Sequence, residues 1–235
     1  MTSTDEILAL AAAPATAPAV AEVTEADIAT FREAAARGAG SEVARALRAT
    51  RPAAPPASPP ASSHEDPAWT AWLTAAAAAA AAGEGSVHPA WLAVFAAGTA
   101  LSDAVGTAPA GVTAASAIAA GMGAAAITET GVDDWGGWSP GTVAAVIGAG
   151  VTAGLLLGLT QPELRAAVGI CATQACGLAA ATGTPAFALQ VGKAAFNGVE
   201  AARLARAGVT APDEPLDGRR GLFALFGQPP PAVAT

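Results

Sequence analysis

The chain has 235 residues, 70 of them alanine, with 13% charged residues and a net charge of −8. A nucleic-acid binder needs a basic face, so no nucleic-acid partner is expected. Aromatics at 5% and the absence of tyrosine disfavour a strand-rich sandwich or barrel, and alanine's helix propensity makes an all-α protein the expectation.

In chain order, residues 1–23 are alanine and proline with a few acids and are expected to fray. The start, MTSTDEILAL, lacks the basic n-region of a secretory signal. Residues 24–50 predict two short helices. Thr24 can cap the first, with Asp27 at the capping-box position, and Ser41 can cap the second. Arg45, Arg48 and Arg51 share one helical stripe, read as a solvated face. The stretch RPAAPPASPPASS at 51–63 holds five prolines and reads as an extended spacer. The expected organisation is a flexible, disordered Ala/Pro-rich region over 1–63, a compact helical bundle over 64–227 and a loose tail over 228–235.

Six helices are expected in the compact part: about 67–82, from Pro89 to near Asp103, about 111–129, about 140–157, one starting at Thr160, and about 190–207. Glu163 closes a capping box on Thr160, and Gly208 is a suitable stop. Glycines 121, 123, 148, 150 and 154 fall inside these patterns, where each costs about 1 kcal/mol against alanine. Close approach of helices is the expected compensation. The charge-free stretches 104–128, 135–162 and 166–192 are long enough to cross a bilayer. They are poor in Leu, Ile and Phe, and their connections carry acids with Arg165 as the one cation. That is unsuited to a positive-inside topology. No membrane association and a cytoplasmic location are therefore expected. Two cysteines, Cys171 and Cys176, make no disulfide framework and fit a reducing compartment.

Several motifs bear on chemistry. GWSPG at 137–141 matches the G-x-S-x-G nucleophile elbow, but no histidine follows it and Pro140 has no N–H for an oxyanion hole. Ser139 as N-cap and Pro140 as first helical residue is the better reading. His64 and His88 lie 24 apart without a cysteine partner, so no metal site is expected. Asp133 and Asp134 sit in the turn VDDWGGW, where adjacent carboxylates can share a site and Trp135 and Trp138 can wall a pocket. There is no P-loop or G-x-G-x-x-G after a strand, and no cofactor is expected.

From His88 onward four ordered segments resemble the MmgE/PrpD family, which includes 2-methylcitrate dehydratase and cis-aconitate decarboxylase. They are VHPAW at 87–91, GWSPGTVAAVIGAG at 137–150, LGLTQPELRAAVGICATQACGL at 157–178 and VGKAAFNGVEAARLARAGVTAP at 191–212. The resemblance implies the family's all-helical domain. It also implies a site shared with an α/β lid, and the chain ends where that lid would begin. His88 stands at the family's first histidine, Ser139 at its second, and Phe187 at its lysine. Lys193 lies nearby but out of register. Glu84 is a weak counterpart of the acidic segment that precedes the first histidine.

Between Pro52 and Leu164 there is no Lys or Arg, so little is available to offset desolvation of a polycarboxylate. Two functional readings follow. In the first, the protein is a lyase or isomerase acting on a small carboxylic or less anionic metabolite. His88 is then the acid or base, oriented by Glu84 or Asp134. Ser139 and Thr142 offer hydroxyls, Trp135 and Trp138 line the pocket, and Lys193 is a further substrate contact. In the second, the chain is a catalytically degenerate or half-site subunit, a homo-oligomer or the companion of a lid-bearing partner.

Overall fold

The computed structural model describes residues 1–13, 22–51, 66–83, 86–105 and 108–226. Ten α-helices account for most of them. They are α1 (Ser3–Ala12), α2 (Glu25–Gly38), α3 (Glu42–Thr50), α4 (Pro67–Ala82), α5 (Pro89–Val105), α6 (Ala114–Thr130), α7 (Pro140–Leu156), α8 (Gln161–Gln174), α9 (Pro185–Arg206) and α10 (Leu222–Phe226). Among the described residues there is no strand, only a single antiparallel bridge between Trp138 and Leu178. The protein is all-α.

Local chemistry sets most helix starts. Thr24 and Asp27 close the expected capping box of α2, Ser41 accepts the Ala44 N–H at the start of α3, and Thr160 and Glu163 close the box of α8. Pro67, Pro140 and Pro185 occupy first-turn positions, where a missing N–H costs nothing. α9 begins at Pro185, five residues before the expected start, because Thr184-Pro185 makes the same entry as Ser139-Pro140.

Helix α7 is the axis of the bundle. It packs against α5, α6, α8 and α9, while α4 lies across α9, α2 and α5. Residues 141–154 of α7 are buried on every face, as expected of a helix at the centre of a core. Burying an alanine methyl gains only about 0.8 kcal/mol, so cohesion here depends on backbones lying close enough for dense contact. At the α7–α9 crossing a methyl added to Gly198 would stand 2.6 Å from the Gly150 nitrogen. Larger side chains are wholly buried as well, Phe31, Phe95, Leu92 and Leu101 on α2 and α5 and Ile147 on α7 itself.

The N-terminal stretch departs in part from its expected fraying. Ser3–Ala12 forms α1, capped by Thr2 and Asp5, and packs against α6 and α8 with Ile7 and Leu8 buried. Its partners come from the far end of the chain. Asp217 accepts from Ser3 Oγ at 2.8 Å and from the Thr4 N–H at 3.3 Å, and Arg165 donates to Asp5 at 2.7 Å. The spacer expected at 51–63 lies, from residue 52 on, outside the described residues, as does the tail at 228–235. Among the described residues no helix is long and apolar enough to cross a membrane.

Candidate functional site

His88 precedes Pro89 at the start of α5, and its ring does two things. Nδ1 accepts the Ala90 N–H at 3.3 Å, so the ring caps the helix. Nε2 stands 3.1 Å from Glu129 Oε1. With Nδ1 committed as an acceptor, the neutral ring carries its proton on Nε2 and donates it to Glu129. The Glu129 hydrogen bond raises the His88 pKa above its ordinary value, against the opposing effect of partial burial, and the Glu129 charge adds to the rise. About half of the His88 side chain and a quarter of that of Glu129 remain exposed.

Two further features fix this pair. Gly141, in the first turn of α7, lies flat against the imidazole: a methyl there would be 2.9 Å from His88 Cε1. Glu129 sits in the last turn of α6, where a carboxylate opposes the helix dipole. The chain is turned there by the tryptophan loop, and Trp135 Nε1 donates to the Glu129 carbonyl at 3.3 Å.

Ser139 and Thr142 form a second polar group at the start of α7. Their hydroxyls are 2.9 Å apart, and both residues are buried. Gln190 of α9 donates to Thr142 Oγ1 at 3.4 Å, while its carbonyl accepts the Leu178 N–H at 3.1 Å. Segment 177–179 is tied to the tryptophan loop by Ser139 N–H to Gly177 O at 2.9 Å and Ala179 N–H to Gly137 O at 3.0 Å. Ser139 occupies the N-cap position of α7, but its hydroxyl turns to Thr142 rather than to a backbone donor.

The other residues singled out in the sequence are placed differently. Asp134 accepts the Gly136 N–H at 2.8 Å, stabilising its own exposed turn, and the carboxylate that meets His88 is Glu129. Glu84 and His64 lie outside the described residues. Trp135 is buried and Trp138 is 36% exposed. Lys193 lies over the rings of Trp72 and Phe196, at 4.7 and 3.8 Å. Burial there lowers its pKa, while the nearby Cys176 and Glu200 act in the opposite sense. Phe187 lines a cleft of about 360 Å³ with Ser41, Gly83 and Thr184, which His88 and Ser139 do not line. Among the described residues no group of three or more His, Cys, Asp or Glu side chains could hold a metal ion.

Sequence reasoning missed Glu129, Gly141 and Gln190 as members of this site. A carboxylate placed against the dipole of its own helix was the available signal for Glu129. Gln190 had none, because a single amide on a helix looks like any polar surface residue.

The profile of the MmgE/PrpD N-terminal domain matches residues 33–234. No curated protein matches the chain.

Proposed function

The chain belongs to the MmgE/PrpD family, matching its N-terminal domain over most of its length, and on that footing we propose that it is a lyase or isomerase acting on a small carboxylic or less anionic metabolite. The observation that carries the reading is the His88–Glu129 pair at 3.1 Å. Its imidazole is oriented by the Ala90 N–H, and the Glu129 hydrogen bond raises its pKa, which favours the charged, proton-donating form. In an elimination the C–H proton passes to the Glu129 carboxylate, its electron pair becomes the double bond, and the C–O bond breaks as the His88 imidazolium gives its Nε2 proton to the departing hydroxyl, which leaves as water. The proton on Glu129 then passes across the 3.1 Å contact to His88 Nε2 and restores the pair. Ser139, Thr142 and Gln190, bonded to one another, make the polar group at the start of α7 neutral. Lys193 is engaged with aromatic rings, so a less anionic substrate suits this site better than a polycarboxylate.

The test is proton exchange. The full chain is incubated in D2O with a panel of small hydroxy and unsaturated carboxylic acids and their amides, and deuterium uptake is followed by NMR. Uptake that disappears in His88→Gln, with the helical circular dichroism retained, is the expected result. Uptake at the wild-type rate in that variant would overturn the reading.

A second reading is favoured by the openness of this face. Trp138 and Leu178, bridged to one another, are exposed, and Leu225 is exposed on α10, whose Phe226 packs on Trp138. A subunit whose site is completed by a second copy or a partner chain would present such a face. Light scattering after size exclusion tests it: a monomer that catalyses exchange alone would remove it.

A further inference from the structure

The short helix α10 comes from the C-terminal end of the described chain, yet it packs behind the candidate site. It is well anchored. Leu222 is buried, its N–H donates to the Pro215 carbonyl at 2.9 Å, and the Phe223 N–H donates to the Leu216 carbonyl at 3.1 Å. From that base two rings reach the tryptophan loop. Phe223 lies over Gly131, the residue that ends α6, so closely that a methyl there would strike the ring. Phe226 meets both tryptophans, with ring centres 5.4 Å from Trp135 and 4.7 Å from Trp138.

Each tryptophan leads to one part of the site. Trp135 donates its indole N–H to the backbone carbonyl of Glu129. Trp138 is bridged to Leu178 and immediately precedes Ser139. The loop joining them has two adjacent glycines, Gly136 and Gly137, with nothing within contact range of an added methyl. Backbone bonds to segment 177–179 hold its Ser139 end, and the Phe226 ring packs on both tryptophans.

We propose that Phe226 is a positioning residue for the His88–Glu129 pair, its ring clamping Trp135 and Trp138 so that the carboxylate at the end of α6 stays within reach of the imidazole. The inference rests on that pair as the proton-transfer centre. Phe226 is uncharged and its ring meets Trp135 and Trp138, so its influence on the imidazole passes through them. Aromatic pairs of this geometry attract one another beyond their area burial, which biases the loop toward its held state.

The experiment follows the imidazole signals by NMR through a pH titration of the full-length chain. It has two histidines, so His64 serves as the internal reference. Among the described residues Glu129 is the charged group acting on His88, and Glu129→Gln therefore sets the fully released midpoint. In Phe226→Ala the His88 midpoint is expected to fall by half or more of the drop seen in Glu129→Gln, with the His64 midpoint unmoved. A loss of stability alone would not produce that shift. An unchanged His88 midpoint in folded Phe226→Ala overturns the proposal. If Phe226→Ala does not fold, Trp135→Phe is judged by the same mark, since it keeps a ring but removes the donor to Glu129. No shift in Glu129→Gln would instead sink the pairing on which the functional reading depends.

Discussion

Gly121 and Gly148 meet backbone to backbone where α6 crosses α7: a methyl on either would stand 2.6 Å from the other's carbonyl oxygen. The contact is rigid on both sides, since neither carbonyl belongs to a movable side chain. Gly148→Ala is therefore expected to destabilise the fold by about 1–3 kcal/mol, the usual range for overpacking. Urea unfolding measures it. Gly40, with open space around its added methyl, is the control, and Gly40→Ala should stay within about 0.5 kcal/mol.

Gly141→Ala should separate activity from stability. The nearest atoms belong to the His88 ring, which can swing away. The bundle then survives, but the imidazole loses its alignment with Glu129. The rate of deuterium exchange is expected to fall about tenfold to hundredfold, the effect of a small misplacement. Thermal unfolding should change little by comparison. Unaltered exchange would show that the flat seat of the ring is irrelevant to chemistry.

Docking of α1 should depend on acid pH. Arg165 and the Thr2 cap hold the Asp5 carboxyl below its ordinary value of 3.8. A group with a lowered folded value contributes stability above its unfolded value and loses it as pH falls through the folded one. The contribution is thus complete above about pH 4 and fades below it. Hydrogen exchange of the α1 amides should accelerate through that window, and Arg165→Ala should exchange fast at every pH. Equal protection of α1 in both proteins would mean that burial of Ile7 and Leu8 suffices.

The two thiols should react very differently. Burial raises the Cys171 pKa to about 12, whereas Cys176 lies exposed beyond the end of α8. A thiol reagent at neutral pH is expected to modify one cysteine in the native protein and two in denaturant. Peptide mapping should place the native label on Cys176.

Thr142→Val keeps shape while deleting the hydroxyl shared by Ser139 and Gln190. The buried Ser139 hydroxyl is left short of a partner, at a cost of about 1–3 kcal/mol. Thr142→Ser should recover most of it. Equal stability of both variants would indicate that a water takes the vacant place.

The helices were legible where entry signals are local. Asp66-Pro67 and Ser139-Pro140 open α4 and α7 at the expected residues. Thr184-Pro185 carries the same signal for α9 but lies in an alanine- and glycine-rich run that hides it. Helix α1 escaped because its tertiary supports, Asp217 and Arg165, are remote in sequence, and α10 because five residues are too few to show a helical period. Family resemblance pointed to His88, but not to its partner, because Glu129 lies 41 residues away. Only the antiparallel return of α6 beside α5 brings the two together.

The alanine-built interior also inverts the usual map of vulnerability. Most domains fail when a bulky side chain is cut down, because a void opens. Here many core positions are already at the minimum, so truncation scanning would find little to remove. The informative scan runs the other way, inserting serine, valine or leucine along α7. Tolerance in such a scan should follow the width of the gap between helices, and relatives of this protein should diverge by enlarging side chains on its rim before those on its axis.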